Sequence, residues 1–293
     1  MPSHSATAAA ATDELGAHVS AAGGVRNAPA RAAELGAVVL QLFTKQPSRW
    51  AEPDLTADEC EAYITATRAA GIVAASAHDS YLINLATPDP VLHARSAAAF
   101  EGELRRCAAL RIDYVVTHPG NATDGDAASG ISRNADAVTR ALEAVPGVTV
   151  LFETTAGAGR VLGSTFEELA ALLRELPAAL QPRAGVCLDT CHVWAAGYDL
   201  RHAYDDVMAR FDDVMGVERI RMFHLNDSLG DLGSRRDRHA HIGAGALGEE
   251  PFRRLMLDDR FKAVPKILET PKDDDPVRAD RANLARLRRY RAG

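Results

Sequence analysis

Short apolar runs alternate with Ala-, Leu-, Arg- and Glu-rich stretches of helical spacing along the whole chain. The runs at 16–20, 38–44, 72–78, 114–119, 148–154, 184–190, 219–226 and 264–270 predict strands, being brief, apolar and bounded by polar loops. Between them the helical period predicts helices near 25–35, 56–70, 90–110, 132–145, 165–176, 202–216, 248–258 and 276–291. Thr56 before AlaAspGlu and Ser164 before ThrPheGluGlu are N-cap candidates. Eight strand–helix units in one chain predict an α/β fold, a single closed (β/α)8 TIM barrel. An open doubly wound sheet is the alternative, and it fits less well because no glycine-rich phosphate turn follows the first strand. Residues 1–14 read as a disordered tail, and 15–293 as one barrel domain.

Composition narrows the class without naming a chemistry. Of 293 residues, 47% are hydrophobic and 25% charged, enough for a large core and against disorder of the bulk. No apolar run reaches the roughly 20 residues needed to span a bilayer, so no membrane partner is expected. The four cysteines (Cys60, Cys107, Cys187, Cys191) are irregularly spaced, which argues against a disulfide framework and for a reducing cytoplasm. The net charge of −7 does not advertise a nucleic-acid binder, although bound cations are absent from that count.

The informative feature is what ends the strands. His78, His118, Glu153, Asp189, His224 and Glu269 stand at the C-terminal ends of six of the eight. A barrel gathers all those ends around one mouth, where the active sites of this fold lie. A lone histidine ending a strand is most often a hydrogen-bonded core or rim residue. Six residues of metal-binding type in the same position are not explained that way. Two loops add to the set. LDTCH places His192 three residues beyond Asp189, and the polar, glycine-punctuated loop after the seventh strand carries Asp237 and His239. Their i, i+2 spacing turns both side chains the same way in extended chain. Arginines 235, 236 and 238 flank the pair, so a merely solvated loop is the competing account.

These nine residues are too many for one catalytic zinc, which takes three protein ligands. They suit a cluster of two or three ions sharing a carboxylate. Mixed histidine and carboxylate ligation fits Zn²⁺, with Mn²⁺ or Fe²⁺ as alternatives at one or more positions. Closely spaced divalent ions favour phosphate-ester hydrolysis. The cysteines stand apart: Cys187 and Cys191 have C-x3-C spacing, and Cys187 is expected to pack inside the barrel.

The residues also resemble a known family, the endonuclease IV abasic-site endonucleases. The matching segments include GAHVSAAGG (16–24), QLFTK (41–45), AHDSYLINLA (77–86), THPG (117–120), ETTAGAG (153–159), GVCLDTCHVWAAGYD (185–199), FHLNDS (223–228), GSRRDRHAHIG (233–243) and ILETP (267–271). The resemblance implies a trinuclear zinc site: His78, His118 and Glu153 on one ion; Glu153, Asp189, His224 and Glu269 on a second; His192, Asp237 and His239 on a third. It implies hydrolysis 5′ to an abasic site in double-stranded DNA by a metal-bridging hydroxide, leaving a 3′-hydroxyl and a 5′-deoxyribose phosphate. Glu153 and Glu269 carry the catalytic expectation, Glu269 by holding or deprotonating the water. Three Zn²⁺ against four carboxylates make the mouth locally cationic despite the overall charge.

Tyr81 matches a family tyrosine that enters DNA at the lesion, where an aromatic wedge replaces lost stacking. Arg49, Arg235 and Arg238 are expected to meet DNA phosphates, with Arg236 beside them. Departures cluster near these positions. The early loop reads LysGlnProSerArgTrp (45–50) where the family commonly has Lys-Asn-Pro-Arg before its Trp, which bears on the wedge role of Arg49. Thr154, Ala158 and Ala244 replace frequent Asn, Gln and Glu. Two other readings compete: a metal-dependent sugar isomerase or epimerase on the related barrel, and a non-catalytic abasic-DNA binding protein. The His192, Asp237 and His239 set speaks against the first, and the complete ligand set against the second. A monomer acting in the bacterial cytoplasm is expected.

Overall fold

The computed structural model describes residues 14–51 and 54–292. In chain order the strands are β1 (Leu15–His18), β2 (Val39–Leu42), β3 (Ala74–His78), β4 (Tyr114–Thr117), β5 (Thr149–Glu153), β6 (Ala184–Asp189), β7 (Ile220–His224), β8 (Asp227–Ser228), β9 (His239–Ala240) and β10 (Lys266–Leu268). All but β8 and β9 are parallel and close into a barrel in the order β1-β10-β7-β6-β5-β4-β3-β2. β8 and β9 form a small antiparallel hairpin in the loop after β7, with Ser228 opposite His239. The expected tail lies outside the described residues apart from Glu14, whose carbonyl accepts the Lys266 backbone N–H at 2.8 Å.

Alternation along each strand creates two cores. Val39, Val116, Leu151, Cys187, Met222 and Ile267 point inward and fill the barrel. A larger shell, including Leu40, Val115, Val150, Phe152, Leu188 and Phe223, packs against the surrounding helices. Gly16 lies opposite Val39 in the β1–β2 ladder, and a Cβ there would collide with the Val39 carbonyl. Only glycine lets the two strands meet.

The helices are α1 (Ala28–Glu34), α2 (Ala57–Ala69), α3 (Pro90–Leu110), α4 (Ala127–Ala144), α5 (Phe166–Glu175), α6 (Thr190–Ala196), α7 (Tyr204–Met215), α8 (Glu250–Leu257) and α9 (Pro276–Ala292). Thr56 closes a capping box with Glu59. At α5 the cap is Thr165 and not Ser164. The Thr165 hydroxyl accepts the Glu168 N–H, while the Glu168 carboxylate accepts the N–H groups of Gly163 and Ser164. α4 starts five residues earlier than the periodicity predicts because Asp126 caps it through the Ser129 N–H. The stretch expected as one helix over 25–35 is a 3-10 turn, Val25–Asn27, leading into α1. Among the described residues no helix is long and apolar enough to cross a membrane.

Candidate metal centre

Most barrel strands deliver one polar side chain to the mouth two residues after an inward-facing position. Val116 precedes His118, Leu151 precedes Glu153, Cys187 precedes Asp189, Met222 precedes His224, and Ile267 precedes Glu269. A period of two keeps each pair on the same face, so the residue that packs the interior aims the next one at the mouth. His78 follows Ser76 in the same way, and β1 and β2 supply His18 and Gln41. His118 and Glu269 lie one residue past their strands and the other four expected ligands end theirs.

The nine expected residues converge. Ligand atoms of His78, His118 and Glu153 lie within 4.8 Å of one another, as do those of His192, Asp237 and His239, and those of Glu153, Asp189, His224 and Glu269. Glu153 joins two groups. Its Oε2 is 3.1 Å from His78 Nε2 and 3.0 Å from His118 Nε2, and its Oε1 is 2.8 Å from His224 Nδ1. Asp237 Oδ1 sits 3.3 Å from His192 Nε2 and 3.2 Å from His239 Nε2. His192 belongs to the first turn of α6, a helix the periodicity did not reveal because it is only seven residues long. Asp189 caps that helix through the His192 N–H at 2.9 Å and still faces the mouth with its other oxygen.

Hydrogen bonds behind the rings fix which nitrogen faces inward. His78 Nδ1 donates to the Asp79 carbonyl at 3.0 Å, His192 Nδ1 to the Thr154 carbonyl at 2.8 Å, and His239 Nδ1 to the Glu269 carbonyl at 3.0 Å. Each leaves Nε2 pointing into the cluster. His224 is turned round: its Nε2 donates to Gln41 Oε1 at 2.9 Å, so Nδ1 faces the acids. Asn226 Nδ2 holds Asp189 Oδ2 at 2.7 Å, and its Oδ1 accepts the Glu269 N–H at 2.9 Å.

The residues fit divalent cations. His192 Nε2 and His239 Nε2 are buried without a hydrogen-bond partner, the Asp237 oxygen being close but misaligned for one. Buried imidazole nitrogens left this way face a site and not a bond. Charge tells the same story. Burial acts to depress His78 and His239, yet the carboxylates around them, Glu153 for the first and Asp189 and Asp237 for the second, carry both up to about 9. Burial opposes His192 and His224 too, yet Asp189, Asp237 and Glu153 hold the first, and Cys187, Glu269 and Glu153 the second, well above the ordinary histidine range. Burial acts to raise Glu153 and Glu269, and the histidines beside them, His224 foremost, hold both well below the usual carboxylate range. Four carboxylates gathered at one mouth, Glu153 and Asp189 among them fully buried, favour positive charge there.

Two neighbours, His18 and Gln41, escaped the sequence reading, and a third, Cys191, was set aside with the other cysteines but lies beside the cluster. Cys191 lies with Asp189 and His239 in a further compact group, and burial pushes its thiol up to about 12. His18 Nδ1 lies 3.3 Å from Glu269 Oε1, and Gln41 Nε2 donates to the same oxygen at 2.6 Å. The two-residue period from Val39 places Gln41 at the mouth, but nothing local shows what it touches there. Cys187 packs inside the barrel as expected, and all four cysteines are free.

His18, Phe43, His78, Tyr81, His118 and Lys272 help line a cavity of about 310 Å³ over the cluster. Tyr81 is 69% exposed and stands edge-on to Phe43, their ring centroids 5.3 Å apart. Arg49, Arg235, Arg236 and Arg238 lie on loops of the chain outside the barrel strands. Arg235 adopts a left-handed backbone, φ 55°, and its N–H donates to the Ala195 carbonyl at 2.9 Å.

A closed parallel barrel with acids and histidines gathered at one mouth defines a metal-binding TIM-barrel protein. The xylose isomerase-like TIM-barrel family pattern matches residues 29–290. Over 278 residues the chain is 49% identical to a probable endonuclease 4 of Chloroflexus aggregans, covering 94% of this chain and 96% of that one. The crystal structure of endonuclease IV from Thermus thermophilus superposes with a TM-score of 0.84 at 38% identity, covering 94% of this chain and 98% of that one. A D-psicose 3-epimerase crystallised with D-fructose reaches a TM-score of 0.68 at 16% identity, covering 96% of this chain and all of that one, a likeness of fold alone. The chain therefore belongs to the endonuclease IV family of DNA-repair AP endonucleases.

Proposed function

We propose that the protein incises double-stranded DNA at abasic sites, hydrolysing the phosphodiester 5′ to the lesion and leaving 3′-hydroxyl and 5′-deoxyribose phosphate ends. The observation that carries this reading is the set of three ligand groups, two of them sharing Glu153. His78, His118 and Glu153 would hold one zinc ion; Glu153, Asp189, His224 and Glu269 a second; His192, Asp237 and His239 a third. When bound, such ions lower the pKa of water, orient the phosphorus centre and stabilise the leaving oxygen. The protein's own groups do the remaining work. Glu153 keeps two groups in register from the end of a strand paired on both sides. Glu269, one side-chain oxygen gripped by Gln41, lies at the cavity wall and can take the proton of an attacking water. Tyr81 stands where an aromatic ring can fill the gap beside a missing base. Arg49, Arg235 and Arg238 extend the interface to backbone phosphates. One barrel completes the site, so the acting unit is a monomer, and its substrate places it in the bacterial cytoplasm.

The test is incision of an end-labelled duplex bearing one abasic-site analogue, beside an intact duplex, with no added magnesium. A single nick 5′ to the lesion, lost on exhaustive chelation and recovered with zinc, is the expected result. Folded, zinc-loaded protein that leaves the lesion strand uncut overturns the reading. Lesion-specific binding in that case identifies a binding protein, and turnover of a ketose identifies an epimerase.

A further inference from the structure

We infer that Gln41 is a positioning residue for the metal centre, clamping His224 and Glu269 through the two ends of one side-chain amide. The inference rests on the metal-site reading above and assigns a role to a residue outside the ligand set.

Gln41 is fully buried on β2, two residues beyond the inward-facing Val39. An amide taken out of water is costly unless its atoms are paired, so its partners define its job. Its Oε1 accepts from His224 Nε2 at 2.9 Å and from the Ser76 hydroxyl at 3.2 Å. Its Nε2 donates to Glu269 Oε1 at 2.6 Å and approaches His18 Nδ1 at 3.1 Å.

The amide dipole therefore has only one useful orientation, oxygen toward His224 and nitrogen toward Glu269. Because an amide oxygen only accepts, His224 Nε2 carries a proton and is committed to Gln41. Nδ1 is therefore the nitrogen turned to the acids, 2.8 Å from Glu153 and 3.2 Å from Glu269, and the one an ion would take. The other end occupies one Glu269 oxygen and leaves Oε2 for the cluster. The other inward-facing histidines of the cluster that show such a bond, His78, His192 and His239, are fixed by backbone carbonyls. His224 is the one fixed by a side chain, so its orientation depends on one replaceable residue. A neutral residue also matters here, since a carboxylate in its place would oppose Glu269.

Second contacts of this kind typically contribute 10–100-fold to metal affinity. The experiment counts zinc per chain and titrates each ion against a chelator, in the wild type, Gln41→Met and Gln41→Glu. Methionine keeps the length and removes both bonds; glutamate keeps an acceptor for His224 and turns the donor into a repelling group. The expected result is that Gln41→Met binds one ion about 10–100-fold more weakly. The other two ions and the melting temperature of the metal-free protein are unchanged. Gln41→Glu weakens the same ion, and it carries the test if the methionine variant does not fold. Unchanged affinity in both variants overturns the inference. So does an equal loss at all positions with a lower melting temperature, which marks a merely structural role. A wild-type chain that takes up no zinc overturns this inference together with the site reading beneath it, and the wild-type arm reports that separately.

Discussion

The two halves of the cluster are built differently. Glu153, Asp189 and His224 rise from the ends of central barrel strands, with side chains 1% exposed or less. Asp237 comes from the loop that joins β8 to β9 and is 53% exposed. The strand half inherits its geometry from the barrel ladder, which must form for the protein to fold at all. The hairpin half depends on local anchors. The Asp227 carboxylate accepts the N–H groups of Ser228, Gly245 and Leu247, and Asn283 on α9 accepts the Ile242 N–H. Fixed strands supply a permanent charge trap, and a tethered loop closes it from above. Rigid placement of ligands is cheapest where the backbone is already fixed, so the shared carboxylate lies in the strand half.

The largest blow to this contrast is Glu153→Ala. It removes the joint between two groups, so two ions leave together, the third stays on the hairpin side, and incision falls beyond the roughly 10²–10³-fold typical of one lost electrostatic contact. Full metal content with normal turnover refutes the shared role. Asp237→Asn is the counterpart on the hairpin, keeping shape and removing charge. Only the third ion is weakened, by at least the roughly 10–100-fold of a lost supporting contact, and the strand-end ions remain. Graded chelation of the wild type sharpens the comparison without mutation. The hairpin ion leaves first, and added zinc restores incision. Simultaneous loss of all ions shows that the halves act as one unit.

Tyr81 tests what lies outside both halves. Tyr81→Ala weakens binding of an abasic duplex by about 1–3 kcal/mol, the range typical of aromatic stacking on bases, with metal content unchanged. Lost metal in that variant makes Tyr81 a support for His78, whose ring lies 6.3 Å from it.

The same contrast governs what the chain disclosed before folding was considered. The strand-end members of the cluster were legible because the two-residue period, interior Leu151 then Glu153 or Met222 then His224, is written locally. His192, Asp237 and His239 were legible from short spacings, but the α6 helix and the β8–β9 hairpin that carry them were not, being too short for any periodicity. Gln41 and His18 went unnoticed for a different reason. Their role lies in contacts with Glu269, 228 and 251 positions away, which no local pattern encodes. Strand ends overran the ladders, as at Phe43 and Thr44 after β2, because an apolar run continues where the hydrogen bonding has stopped.

The smallest expected effects concern the arginines, and they separate DNA contact from loop support. Arg235 projects from a left-handed residue whose backbone is held by the Ala195 carbonyl, so its guanidinium is free of structural duty among the described hydrogen bonds. Arg238 instead donates through Nη1 to the carbonyl of Asp237 at 2.8 Å. Arg235→Gln therefore lowers the salt dependence of abasic-duplex binding by about one unit of slope, equally for all sequences, and leaves zinc untouched. Arg238→Gln lowers the slope too, but it also loosens the residue that presents the Asp237 carboxylate, so the hairpin ion becomes easier to strip. Binding as a function of salt, measured beside chelator titration of each variant, gives both readouts. If the two variants differ only in slope, the hairpin does not need its arginine. If Arg235→Gln also loses zinc, the division between a fixed strand half and a tethered loop half is drawn in the wrong place.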